Sequence, residues 1–180
     1  MIEAVIGLFG VVVGAAVTIG ADWLRGRSEK GERAKYLAIR TVITLDRYVS
    51  DCASVIEPEP VPPLEHEPLV ELPPKLTLPD DVDWTSIPPD LCYRILSLPS
   101  REKSAADAVS FMGGPGGGDP ADARDEHFTD LGLLAHAIAQ DLRAAFGLEA
   151  PRRNEWDPAE SLRARKSERE RRDNAKEAIW

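Results

Sequence analysis

The residue types with the most chemical potential in this chain are three histidines, two cysteines and one glycine-rich loop. Asp125 and Glu126 stand beside His127, with Asp130 three residues further on, so an exposed divalent-cation site could be built there. The same residues are what an ordinary charged helix start contains, and that reading is favoured. His127 and His136 are nine positions apart and miss the i,i+4 spacing of helical metal ligands, while His66 lies in proline-rich sequence. The loop GGPGGGDP at 113–120 lacks the Lys-Ser/Thr of a phosphate-binding loop. Cys52 and Cys92 are too few for a disulfide framework or a structural zinc site. No Gly-x-Ser-x-Gly elbow, kinase signature or dinucleotide fingerprint occurs. No catalytic residue, metal or cofactor is therefore assigned.

The strongest physical signal is not catalytic. From Ala4 to Ala21 the chain has no charge and one hydroxyl, Thr18. As a helix it would span roughly 27 Å, about the hydrocarbon thickness of a bilayer. Its nine Val, Ile, Leu and Phe residues favour insertion by about 3–5 kcal/mol. A cleaved signal peptide would want a basic start and a small-residue cleavage site, but the chain begins Met-Ile-Glu and continues into Asp22-Trp23. A buried soluble helix is the other competing reading. Arg25, Arg27, Lys30, Arg33, Lys35 and Arg40 follow the span and no basic side chain precedes it. The positive-inside rule then predicts an inner-membrane protein with a short outer N-terminus and a cytoplasmic C-terminal part, in which both cysteines stay reduced. Gly10, Gly14 and Thr18 form a small-residue row, and Gly7, Gly14 and Ala21 a second at seven-residue spacing. Both rows would let membrane helices approach closely.

Five segments follow from composition and periodicity: an anchor at 1–24, a juxtamembrane helix at 25–56, a linker at 57–87, a helical domain at 88–147 and a charged helix at 148–180. In the second, Ala38, Val42, Leu45, Val49, Cys52 and Ile56 alternate in steps of four and three, the seam of a packed or coiled helix. Gly26 and Gly31 suggest a joint between anchor and helix. Residues 57–90 hold 10 of the 15 prolines and nine acids against Lys75. The expectation there is an extended, self-repelling linker, with Pro60 and Pro63 forming a bare PxxP that is a minor docking candidate.

Beyond it, a short helix is predicted from about Pro88 to Leu98, broken at Pro99, with a possible continuation over 100–112. Asp119 and Pro120 should open a helix that ends at Phe146 with Gly147 as its terminator. Its apolar stripe is Phe128, Leu131, Leu134, Ile138, Leu142 and Ala145 or Phe146. Asp157-Pro158-Ala159-Glu160 resembles a capping box opening a highly charged helix. Glu168 and Arg172 form an i,i+4 pair there, and a solvated face is favoured over partner or RNA contact.

The blocks KGERAKYLAIRTVITLDRYVSDCA (30–53) and DVDWTSIPPDLCYRILSLPS (81–100) resemble segments of uncharacterised bacterial proteins with a short N-terminal membrane anchor. The resemblance implies the same layout, with the proline-rich insert as its variable part, and implies no activity.

The resulting expectation is an all-α, single-pass membrane protein with a small cytoplasmic helical domain. It would act as a non-enzymatic interaction or scaffold protein whose partners are the bilayer and either further copies of itself or another membrane protein. The alternative is an oligomeric effector that forms pores or disrupts the bilayer, although no polar face is present to line a channel. The net charge of −9 argues against nucleic acid as main partner.

Overall fold

A computed structural model describes residues 30–56, 70–115, 117–150 and 156–177. These residues are all-helical apart from their connections, with no strand among them. The expected anchor with Gly7, Gly10, Gly14, Thr18 and Ala21, and the motif at Pro60 and Pro63 with His66, lie outside the described residues. Among the described residues no helix is long and apolar enough to cross a membrane.

Helix α1 covers 30–56. Ala38, Val42, Leu45, Val49, Cys52 and Ile56 are all buried, and Leu37, Tyr48 and Ala53 join them in the core. Gly31 is helical, so a joint at that position is absent, and Gly26 lies outside the described residues.

Residues 70–87 do not behave as a free spacer. They form no helix or strand over 70–79, bend at Asp80, Asp81 and Val82, and then make a short 3-10 turn at Trp84–Ser86, capped by Asp83. Leu76 and Ile87 are fully committed to the core, and Val70, Leu72, Leu78, Val82 and Trp84 pack against it. The strap runs down α1 towards its N-terminal end. Leu76 bonds to α2, Asp81 meets Arg40 at 3.0 Å, and Asp83 feels Lys30 and Arg33. Apolar residues spaced between the acids explain why this part docks: burying them outweighs the mutual repulsion of the carboxylates.

Helix α2 (Pro89–Met112) is continuous through Pro99, which corrects the expected break. Proline has no N–H to give to the carbonyl four residues earlier, a loss of about 3 kcal/mol in a helix interior. Ile95 and Leu98 before it, and Ala105 and Val109 after it, are buried on one face. Core contacts on both sides of Pro99 therefore hold the two halves in line.

After α2 the Gly117 N–H donates to the Gly114 carbonyl at 3.0 Å. A Cβ on Gly117 would lie 2.2 Å from the Met112 carbonyl oxygen, so only glycine fits the close backbone approach there.

Helix α3 (Pro120–Phe146) opens at Asp119, whose side chain accepts from the Ala121 N–H at 2.8 Å, and ends at Gly147 in the left-handed conformation, φ 59°. Phe128, Leu131, Ile138 and Leu142 of its stripe are buried, while Leu134 and Phe146 are half-buried and Ala145 is exposed. Helix α3 is central, packing against both α2 and α4 (Pro158–Glu177). Gly132 lets this happen: a Cβ there would meet Leu162 Cδ1 of α4 at 2.7 Å and Cys52 Cβ of α1 at 3.1 Å.

Helix α4 opens on Asp157, which accepts from the Ala159 N–H at 3.0 Å, and it buries only Ala159 and Leu162. Glu168 pairs with Arg165 one turn earlier, at 3.1 Å, in place of the expected Arg172.

Candidate functional site

The residues first considered for metal binding are engaged otherwise. Asp125 accepts from Arg124 at 2.8 Å and from Arg165 of α4 at 2.5 Å, and its carboxylate raises the Arg165 pKa further. Asp130 is bridged by Lys166 at 2.9 Å and Arg169 at 3.3 Å. Burial pushes the Asp130 carboxyl up, but these two cations prevail and hold it below the usual range. His136 accepts from Arg163 at 3.1 Å. Burial, followed by the Arg163 charge, lowers its pKa, so the ring stays neutral as an acceptor. Among the described residues no group of His, Cys, Asp and Glu is placed to hold a metal ion. The charges of α3 and α4 thus form an ion-pair seam. A cleft of about 160 Å³ within it is lined by both signs, including Asp122, Glu126, Arg172 and Lys176.

A second cluster lies inside the bundle. Cys52 and Tyr48 of α1 face Glu102 of α2 beneath the strap. Burial pushes the Cys52 thiol up to about 12 and raises the Tyr48 phenol as well, with Cys52 and Glu102 adding to the effect on the phenol. Such a thiol is not a nucleophile at neutral pH.

Glu102 is 6% exposed, and both its oxygens accept the Leu76 N–H, at 3.0 and 3.1 Å. Burial raises its pKa, against the opposing pull of that N–H and of Lys75. The cluster fastens the strap to α2. Arg143 of α3 plays a similar part, its buried guanidinium donating to Asp46 of α1.

What remains unaccounted for by packing is on the surface. Tyr36, Ile39 and Ile43 are 61%, 39% and 63% exposed and occupy one face of α1, away from the buried seam. Lys35 and Arg47 are exposed beside them. The Arg40 guanidinium lies 5.9 Å from the centre of the Tyr36 ring while it pairs with Asp81. The sequence reading followed the buried seam and missed this face. Its steps of three and four were visible, but a helix with two apolar stripes cannot be assigned a core side without its neighbours.

Tyr93 and Leu96 form a smaller exposed pair on α2, and Phe111 is exposed near its end. The face of α1 differs from these in adjoining the cationic stretch and the apolar 4–21 segment in sequence. No family model matches the chain, and no curated protein or solved structure matches it either.

Proposed function

We propose that this chain is a membrane-tethered, non-enzymatic interaction protein, anchored through residues 4–21 and carrying its helical core in the cytoplasm. The observation that supports this most is the exposed Tyr36, Ile39 and Ile43 face. It sits on the helix that follows directly from the predicted anchor and its cationic collar. Contiguous apolar surface costs solubility unless something covers it.

The test is alkaline carbonate extraction of vesicles carrying the full chain, paired with protease access to a C-terminal tag. Retention in the membrane with a tag protected inside the cytoplasm is the expected result. Release of the intact chain, or a tag on the outer side, would overturn the proposal.

A further inference from the structure

Two buried polar atoms between α3 and α4 have nothing to bond to. Elsewhere in these helices Thr44, Ser50, Ser104 and Ser110 each donate to the carbonyl four residues earlier. Thr129 of α3 is fully buried, yet its Oγ1 has no partner. Arg169 of α4 gives Nη2 to Asp130 at 3.3 Å, but its Nη1 is buried and unpartnered as well. Thr41, Tyr48 and Arg143 also hold unpartnered buried atoms. What sets Thr129 and Arg169 apart is that both line the α3–α4 cleft. Buried polar groups are seldom left unsatisfied in a native fold, so two such donors on one cleft call for an acceptor inside it. At about 160 Å³ the cleft has roughly ten times the room that a single water needs.

The walls decide what kind of acceptor enters. The α3 wall carries Asp122, Asp125 and Glu126, which with Thr129 fall at i, i+3, i+4 and i+7 and so share one helix face. The α4 wall carries Arg165, Arg169, Arg172 and Lys176, with Asp173 as the one acid among them. The cleft is therefore lined by four charges of each sign. The ion-pair partners just outside it, Arg124, Asp130, Lys166 and Glu168, add two of each. Asp125 is already held by Arg124 and Arg165, but Asp122 and Glu126 form no ion pair among the described residues. A phosphate or other bare anion would gain nothing from neutral surroundings and would meet those two carboxylates. A metal ion is not served either, because no group of His, Cys, Asp and Glu among the described residues is placed to hold one. A molecule with one charge of each sign suits both walls.

We propose that the cleft binds a small zwitterion of the α-amino-acid class, its carboxylate taken by the Thr129 hydroxyl and Arg169 Nη1 and its ammonium by Glu126. A guanidinium pairs well with a carboxylate, and Arg169 has an N–H to spare for it. Glu126 stands one turn before Thr129 on the same face, about 5–6 Å away between β-carbons, so one small molecule can touch both. The recognised unit is the ammonium–carboxylate pair itself, which makes glycine a sufficient probe. The site does not depend on residues 4–21 entering a bilayer.

The experiment titrates the nitrogen-15-labelled full chain at pH 7 with glycine, acetate, methylammonium and inorganic phosphate in turn, following the amide signals of 122–129 and 165–176. Glycine should shift these signals saturably, with an affinity at least tenfold above that of each of the other three. Thr129→Val removes the hydroxyl at nearly constant shape and breaks no hydrogen bond. Glu126→Gln changes an exposed position that makes no ion pair among the described residues. Each variant should weaken glycine at least fivefold. Acetate or phosphate binding as tightly as glycine would overturn the proposal in favour of a bare-anion site, and methylammonium doing so in favour of a cation site. No saturable shift from any of the four leaves the cleft to water and overturns it too. A glycine affinity that survives either variant would also overturn it, since the ligand would then lie elsewhere.

Discussion

Glu102 is the residue on which most of the interior chemistry converges. Its carboxylate holds the Leu76 N–H with both oxygens at the point where the strap crosses α2. Glu102→Ala leaves that buried N–H without an acceptor, and a loss of about 1–3 kcal/mol in urea unfolding is expected. The Glu102 pKa is raised by burial, and the groups facing it are Tyr48 and Cys52 from α1 and Lys75 with the Leu76 N–H from the strap. A carboxyl with a folded-state pKa above its unfolded value binds its proton more tightly in the fold. Its contribution therefore rises as pH falls through the raised value towards the ordinary glutamate range, and is lost as pH rises again. Glu102→Gln keeps an acceptor and removes this titration. The urea midpoint of the wild type should thus gain on that of Glu102→Gln as pH is lowered from 7 towards 5. A gap that is constant with pH would contradict the assignment. Cys52 supplies a check of the same interior. With its thiol buried and raised to about 12, iodoacetamide at pH 8 should label Cys92 in the native chain and reach Cys52 only in denaturant, as read by mass spectrometry.

At the scale of elements, both ends of α3 and the start of α4 were readable from sequence because capping is local. Asp119 with Pro120, Asp157 with Pro158, and Gly147 each act on backbone groups a few residues away. The continuity of α2 was not readable, because what carries it past Pro99 is the burial of Ile95, Leu98, Ala105 and Val109 against other helices. Pro99→Ala restores the missing donor in a helix that is already straightened by its contacts. It should raise stability by about 1 kcal/mol or more without changing the helical signal in circular dichroism. A loss of stability would mean that the proline ring makes packing contacts worth more than the hydrogen bond. The strap is a related case. Prolines and acids mark 70–87 as extended, yet only the tertiary positions of Leu76 and Ile87 turn the segment into part of the core.

Across the whole molecule, stability should be graded outwards from α3. That helix buries residues along its full length, whereas α4 buries only Ala159 and Leu162 and is otherwise held by Asp125 and Asp130 to Arg165, Lys166 and Arg169. Surface ion pairs contribute little and are screened by salt, the exposed Lys166–Asp130 pair more than the part-buried Arg165–Asp125 pair. Amide hydrogen exchange should therefore be fastest in α4 and slowest in α3. Raising the salt from 0.05 to 1 M should speed exchange over 163–177 severalfold while leaving α3 nearly unchanged. Equal protection of the two helices would contradict this grading.

Periodicity and capping chemistry settled the helical class, the buried side of α1, both ends of α3 and the start of α4, since each depends on residues within a turn or two of one another. Which charges pair, that Pro99 sits inside a helix, that the acidic strap docks, and that Tyr36, Ile39 and Ile43 stay uncovered were decided only when α1, α2, α3 and α4 came together. The physical reason is range: a cap or an apolar stripe is a property of one segment. Burial and ion pairing are properties of two segments far apart in sequence, such as Asp46 with Arg143 or Leu76 with Glu102.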